Sequence, residues 1–237
     1  MLEQLKRELS QLNDYDRAKN LQWFFKTGKG QYGEGDIFLG ITVPEQRKVA
    51  KKYVDLSLDD LQELLNSKIH EHRFTALVIL ISKYRKAEES IKAEIFEFYL
   101  KNTEKINNWD LVDLSAPRIV GDYLLNKERS ILYKLAKSDS LWERRVSILS
   151  TFTFIDNNDF EDALNISELL LNDEHDLIHK AVGWALREIG KRDQNIEERF
   201  LTMHYLHMPR TMLRYAIEKL GEKKRKKYLD KKTTVLV

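Results

Sequence analysis

The scarcity of chain-breaking residues limits the fold classes open to this sequence. Of its 237 residues only three are proline and nine are glycine, and four of the glycines fall in one segment, GKGQYGEG at 28–35. Alternating strand patterns with hairpin dipeptides are missing from the rest of the chain. Helix starts, in contrast, are marked at Thr42, Ser57 and Asp173, each of which is followed three residues later by an acidic residue. The pattern predicts an all-α protein.

A weak internal repeat groups the predicted helices. The segments HRFTALVIL, NWDLVDL, RRVSILST, HKAVGWAL and PRTMLRYAI each place a polar residue ahead of apolar and small ones. The segments align at Arg73, Trp109, Arg145, Lys180 and Thr211. These positions are 36, 36, 35 and 31 residues apart. This period is close to that of HEAT and TPR repeats, whose helix pairs stack into a continuous core. The repeat predicts a single domain over 1–237, a curved HEAT-like solenoid whose second helices line a concave surface.

Composition excludes several kinds of site and location. The chain has no cysteine, which rules out disulfides, thiolate zinc sites and catalytic thiols and favours a reducing compartment. The N-terminus lacks the residue order of a secretory signal, and no apolar run approaches the length of a membrane span. His175 and His179 share a helix face without a third ligand, so no metal or cofactor is predicted. We expect a monomeric cytoplasmic protein with no membrane association and no obligate protein partner.

Basic residues are concentrated near the C-terminus. The whole chain has 40 Lys and Arg against 38 Asp and Glu, a net charge of only +2. Residues 176–237 hold 15 basic and 8 acidic residues, whereas residues 1–175 hold 25 and 30. Part of the excess is KKRKK at 223–227, within a C-terminal segment, 223–237, that is either a solvated, frayed tail or a phosphate-contacting arm. The sequence leaves both interpretations open.

The predicted helix over 174–191 carries an indole and three cations away from its apolar stripe. That stripe, at i, i+4, i+7 and i+11, consists of Ile178, Val182, Ala185 and Ile189. The opposite side follows the same spacing and carries Lys180, Trp184, Arg187 and Lys191. Core packing would not select this second set, which favours a nucleic-acid or ligand surface. The structural alternative is that Trp184 covers a neighbouring repeat or makes a cation–π contact with Arg187.

Two acidic residues and one arginine stand out in the preceding repeats. Arg145 falls inside the apolar arc of its helix, so its guanidinium needs a carboxylate, carbonyl oxygens or a phosphate as partner. Asp113, one repeat earlier, is the candidate carboxylate, in either a structural or a functional pair. Trp109 and Asp113 are four residues apart and share a helix face, where a carboxylate can stabilise an oxocarbenium ion and orient water. Asp110 is predicted instead to stabilise the helix N-terminus.

Three segments carry a family resemblance. NWDLVD at 108–113, LWERRVSIL at 141–149 and KAVGWALRE at 180–188 resemble the signature segments of the AlkD-like DNA alkylation-repair glycosylases. FLGITVPEQRK at 38–48 and PRTMLRYAIEK at 209–219 extend the resemblance over nearly the whole chain. It implies a solenoid that holds double-stranded DNA in a basic concave groove and excises N3- and N7-alkylated purines without a metal or cofactor. It also implies that the damaged base is not flipped out, unlike in most glycosylases.

The resemblance implies a role for each matching residue. Asp113 would be the catalytic carboxylate beside the deoxyribose, and Trp109 and Trp184 would pack against the sugar and backbone of the damaged nucleotide. Arg145 would hold the DNA backbone near the lesion and could orient Asp113. Arg187 would be a supporting phosphate contact. Lys180 and Lys191 lie on the same helix face as Arg187 and are predicted to bind DNA together with it.

The sequence departs from the family pattern at one position and leaves one alternative function. Asn108 stands where some family members have a second tryptophan, which argues against a double aromatic wall. Phe24 and Phe25 match a DNA-contacting aromatic residue of relatives only loosely, and both are predicted to belong to the core. The alternative function is a non-catalytic repeat scaffold that binds DNA or another protein. Removal of the Asp113 charge distinguishes the two functions, because only the glycosylase activity depends on that charge.

Overall fold

The structure, a computed structural model, describes residues 1–230. Within these residues there is no β-strand, only an isolated bridge between Ile37 and Ile69, so the predicted all-α class is confirmed. No helix of the described residues is long and apolar enough to cross a membrane. The chain divides into two compact units, Met1–Ser115 and Ala116–Val237. The single repeat domain over 1–237 stays a prediction.

In the N-terminal unit the helices gather around one long central helix. They are α1 (Leu2–Gln11), α2 (Tyr15–Phe24), α3 (Val43–Ala50), α4 (Leu58–Leu65), α5 (His70–Lys86), α6 (Glu89–Lys101), a 3₁₀ turn (Thr103–Lys105) and α7 (Trp109–Ala116). The central helix, α5, packs against α1, α3, α4 and α6. Thr42 and Ser57 form complete capping boxes at the starts of α3 and α4, as predicted from their spacing to Glu45 and Asp60.

In the C-terminal unit successive repeat helices stack on one another. Its elements are a π turn (Pro117–Gly121), α8 (Asp122–Leu124), α9 (Ser130–Ala136), α10 (Leu141–Asp156), α11 (Glu161–Leu169), α12 (Asp176–Arg192), α13 (Gln194–His204), α14 (Arg210–Ala216), a 3₁₀ turn (Ile217–Lys219) and α15 (Glu222–Leu229). The repeat positions Arg145, Lys180 and Thr211 lie within the first five residues of α10, α12 and α14. Because α10 packs against α12 and α12 against α14, the repeat predicted from the sequence is a stacking unit here.

The sequence pattern predicts one helix over 117–136, but the structure breaks it. The helix stops after Leu124, and α9 begins only after a turn. Arg129 explains the break, because its guanidinium donates from Nε to the carbonyl oxygen of Leu124 at 3.2 Å and from Nη2 to that of Leu125 at 2.6 Å. Together with the backbone N–H of Lys127, which donates to Leu124 at 3.1 Å, the guanidinium satisfies these carbonyls at the helix end. The same guanidinium pairs with Asp162 of α11 at 2.6 Å, which anchors the break.

Part of the predicted tail is helical. Glu222–Leu229 form α15, and Tyr228 is buried with its ring edge-on to Tyr205 at a centroid distance of 5.4 Å. The extended backbone of Leu220 separates this helix from the preceding 3₁₀ turn, so the helix pattern over 209–227 is also interrupted. A docked helix therefore replaces the frayed tail over these residues. The rest of the predicted tail, 231–237, lies outside the described residues, and phosphate contact by this segment stays a prediction.

The start of α12 differs from the prediction. The residue that caps this helix is His175, whose Nδ1 accepts the backbone N–H of Leu177 at 3.1 Å. Asp173, the predicted cap, instead accepts from Arg144 Nε at 2.6 Å and from the backbone N–H of His175 at 2.8 Å. His179 donates from Nε2 to the carbonyl oxygen of Asp173 at 2.5 Å. Both histidines therefore order this turn, and residues 1–230 contain no group of three or more His, Asp or Glu side chains placed to hold a metal ion.

Candidate functional site

Helix α7 presents two predicted site residues side by side. Leu111 and Val112 are completely buried in the N-terminal unit, whereas Trp109 and Asp113, one turn apart, are partly exposed. Asn108 is completely buried before the helix, and its Oδ1 accepts the backbone N–H of Trp109 at 2.8 Å. The structure therefore places an indole and a carboxylate on one accessible face of α7.

The Trp109 ring is held by an aromatic cluster. It stacks on Phe25 with a centroid distance of 5.1 Å and an interplanar angle of 18°. Phe24 meets it edge-on at 6.0 Å. The indole Nε1 donates to the hydroxyl of Tyr32 at 3.3 Å, in the GKGQYGEG loop. Phe25 is 7% exposed, as expected for core, but Phe24 is 54% exposed, so the prediction that Phe24 belongs to the core is wrong. The sequence carried no signal for the contact with Tyr32.

A buried tyrosine lies near the carboxylate of α7. Tyr99 of α6 is completely buried, and its hydroxyl is 2.9 Å from Ser115 Oγ. Burial raises the pKa of Tyr99 well above its ordinary value, and the negative charge of Asp113 raises it further, although the hydrogen bond with Ser115 acts in the opposite sense. Tyr99 is therefore neutral at any physiological pH, which leaves Asp113 as the acidic group at this position.

A buried charge cluster at the start of α5 connects to α7. His70, Arg73 and Asp36 are each at most 7% exposed. His70 Nε2 donates to Asp110 Oδ2 at 2.8 Å, and its Nδ1 lies 3.5 Å from Asp36 Oδ2. Arg73 Nη2 donates to the same oxygen of Asp36 at 2.6 Å. Asp110 thus has a partner beyond the helix-end role predicted for it. The partners are distant in sequence, so residue spacing could not reveal the cluster.

The two faces of α12 separate as the sequence predicts. The predicted stripe is completely buried and comprises Ile178, Val182, Ala185 and Ile189. On the other side, Trp184 is partly exposed, with its ring edge-on to Phe152 of α10 at a centroid distance of 4.7 Å. Its Nε1 donates to Glu188 Oε1 at 3.0 Å. Trp184 is therefore oriented by one aromatic and one acidic neighbour and keeps part of its ring accessible.

The three predicted DNA-binding cations of α12 all have acidic partners. Their ion pairs are Lys180 with Asp176 at 2.8 Å, Lys191 with Glu188 at 2.7 Å, and Arg187 with Glu218. The Arg187 Nε also lies 3.7 Å from Glu188, and the Arg187 side chain is only 16% exposed. A phosphate that binds Arg187 must therefore exchange with Glu218. This acidic competitor lies in the 3₁₀ turn after α14, and residue spacing gives no indication of it.

Arg145 is buried, as its place in the apolar arc predicts. It is 4% exposed, and its Nη1 donates to the carbonyl oxygen of Leu177 in the first turn of α12 at 2.5 Å. The sequence predicts a carboxylate, carbonyl oxygens or a phosphate as the partner of Arg145, and the structure shows a backbone carbonyl among its partners. Its predicted relation to Asp113 and to DNA stays a prediction. The structure brings Trp109 together with Asp113 in the N-terminal unit and gathers the predicted α12 residues in the C-terminal unit.

Comparison with known proteins agrees with these features. A family model described as DNA alkylation repair enzyme matches residues 5–220. A solved structure, "Predicted DNA alkylation repair enzyme" from Enterococcus faecalis, is 15% identical with a TM-score of 0.68 over 89% of this chain and 97% of that one. AlkD2 from Streptococcus mutans is 16% identical with a TM-score of 0.55 over 86% and 98%. At such identities these two structures establish a shared helical-repeat fold. No curated protein matches the chain.

Proposed function

Because the chain belongs to the DNA alkylation repair enzyme family, we propose that it is a DNA glycosylase that excises N3- and N7-alkylated purines from duplex DNA. The observation that supports this activity most directly is the accessible face of α7. There a carboxylate, Asp113, lies one turn from Trp109, whose ring is packed in an aromatic cluster. An anion beside an aromatic wall suits a reaction in which positive charge develops on a sugar. In this proposal the protein acts as a monomer in the cytoplasm.

In the proposed reaction the bond between C1′ of the deoxyribose and the alkylated base breaks, and its electron pair leaves with the base. Alkylation has made the base cationic, so the base departs as a neutral molecule. The positive charge passes to C1′ and O4′, where the carboxylate of Asp113 stabilises it. Water then adds at C1′ and releases its proton to the solvent, which leaves an abasic site. Atoms and charge balance without an additional reactant.

The other residues are proposed to position the DNA. Trp109, fixed by Phe25 and Tyr32, offers its ring to the cationic sugar, since π faces attract positive charge. Trp184 packs against the backbone of the damaged nucleotide. Arg145 holds the DNA backbone near the lesion.

Phosphates bind the α12 cations in this proposal. Lys180, Arg187 and Lys191 contact the backbone, which positions the duplex without reading its sequence. Excision without base flipping, proposed on the family resemblance, removes the need for a base-shaped cavity.

The Asp113→Asn substitution tests the proposal, because it removes the charge and keeps the shape. Two unit charges about 4 Å apart interact by about 1 kcal/mol in water and about 4 kcal/mol at an effective dielectric constant of 20. Asp113 is partly exposed, which places it between these limits. Since each 1.4 kcal/mol is about tenfold in rate, release should slow by about 5-fold to 1000-fold.

The assay is single-turnover release of 7-methylguanine from duplex DNA, with Asp59→Asn as control. Asp59 is an exposed aspartate in the first turn of α4, away from α7. Wild type and the control should release base at the same rate, and Asp113→Asn should be slower. Equal rates for all three proteins would remove Asp113 from its role. No release by wild type, with duplex binding retained, would favour the non-catalytic scaffold.

A further inference from the structure

The imidazole of His70 bridges two elements that are far apart in sequence. It lies in the first turn of α5, is 3% exposed, and reaches Asp110 of α7 through Nε2 at 2.8 Å. On its other side Nδ1 lies 3.5 Å from Asp36, which is close enough for charge attraction but long for a hydrogen bond. Asp36 is fixed in turn by Arg73 at 2.6 Å. His70 therefore connects a rigid charged core to the first turn of α7.

The charges around His70 decide its protonation state. The charged groups that face it are Asp36 from the 33–37 loop, Arg73 from its own helix and Asp110 from α7. Burial lowers the pKa of His70, and the positive charge of Arg73 lowers it further. The carboxylates of Asp110 and, to a lesser extent, Asp36 outweigh both effects and raise the pKa to about 9. The side chain is therefore an imidazolium at neutral pH. Such a cation holds a carboxylate more firmly than a neutral ring does.

Two contacts pass from this imidazolium to the face of α7 that carries the proposed site. Asp110 directly follows Trp109 and belongs to the turn that leads to Asp113. The His70 ring also packs against Phe25 at a centroid distance of 5.3 Å, and Phe25 stacks on the Trp109 indole at 5.1 Å. A helix of only eight residues has little intrinsic stability, so its orientation depends on such anchors.

We propose that His70 is a positioning residue, which holds the first turn of α7 through Asp110 and thereby fixes Trp109 and Asp113 for base release. The proposal rests on the glycosylase function proposed above and assigns it a residue outside the reacting groups. His70 touches neither sugar nor base. Its effect is on the geometry of the residues that do, where a displacement of about 1 Å can cost about 100-fold in rate.

The direct test follows the Trp109 indole N–H by NMR while His70 is titrated, which needs no catalytic activity. In wild type the Trp109 signal should shift with the same midpoint as the His70 imidazole, about pH 9. Asp110→Asn removes the carboxylate that links His70 to α7, so the His70 midpoint should move to lower pH and the pH-dependent shift of the Trp109 signal should become smaller. The control, Asp59→Asn, should leave both midpoints unchanged. A Trp109 signal that does not follow the His70 titration would overturn the proposal.

Kinetics supply the second readout. At pH 7.5 Asp110→Asn should lower the single-turnover rate of 7-methylguanine release by about tenfold or more, with the Kd for duplex DNA within twofold of wild type. Asp110 has a partly exposed side chain, so the variant should fold, and an unchanged circular dichroism spectrum checks this. A wild-type rate in folded Asp110→Asn would overturn the positioning role. Absence of release by wild type would refute the glycosylase function alone, since the NMR titration still decides the role of His70.

Discussion

Glu197 provides a quantitative test of how burial controls stability in the C-terminal unit. This carboxyl group of α13 is 2% exposed, and its Oε1 has no hydrogen-bond partner among the described residues. It packs on Gly190 of α12, where a Cβ atom would lie 1.9 Å from Glu197 Oε2. Burial, with a further contribution from the charge of Glu198, raises the pKa of Glu197 to about 8. The folded protein therefore carries Glu197 mostly protonated at neutral pH.

The raised pKa makes stability fall with rising pH. Below about pH 4.5 Glu197 is protonated in both the folded and unfolded states and has no effect. Between pH 4.5 and 8 the unfolded chain ionises and the folded protein does not, so stability is lost progressively. Since a tenfold change in proton affinity corresponds to about 1.4 kcal/mol, the loss reaches about 5 kcal/mol above pH 8, of which about 3 kcal/mol has occurred by pH 7. Local relaxation that admits water reduces these values.

Glu197→Gln keeps the shape and removes the ionisation. The free energy of unfolding of the variant should therefore rise relative to wild type between pH 4.5 and 8. Urea titration, with hydrogen exchange of the α12 and α13 amides to report on this unit, measures the difference. The control is Glu174→Gln, an exposed glutamate just before α12, whose stability curve should run parallel to that of wild type. Parallel stability curves for Glu197→Gln and wild type from pH 4.5 to 8 would refute the reasoning.

Two further predictions concern the proposed DNA contacts of α12. Arg187→Ala should weaken duplex binding and reduce the slope of log K against log salt by about 0.9, measured by fluorescence anisotropy over a salt series; an unchanged slope would assign Arg187 a structural role. Glu218→Gln frees Arg187 from its acidic partner, so it should bind duplex more tightly than either wild type or the control Glu168→Gln, an exposed glutamate of α11. Equal affinities would mean that Glu218 does not compete with phosphate.

Features that depend on neighbouring residues follow from the order of amino acids along the chain. The capping boxes at Thr42 and Ser57 and the buried stripe of α12 follow from spacings of three and four residues, which a helix brings together wherever it lies. The scarcity of glycine and proline determined the all-α class for the same local reason. The segment around Trp109 and Asp113 pointed to the family, because motif residues that share a helix face are also close in sequence.

The tertiary structure alone decided which distant residues meet. His70 reaches Asp110 across 40 positions, and Tyr32 reaches Trp109 across 77. Arg129, beside the break after Leu124, reaches Asp162 of α11 across 33 positions. No residue spacing encodes such contacts, since they arise only when separate helices pack. The residues that carry the proposed chemistry could thus be named from the sequence. The partners that orient them and set their protonation states are determined by packing.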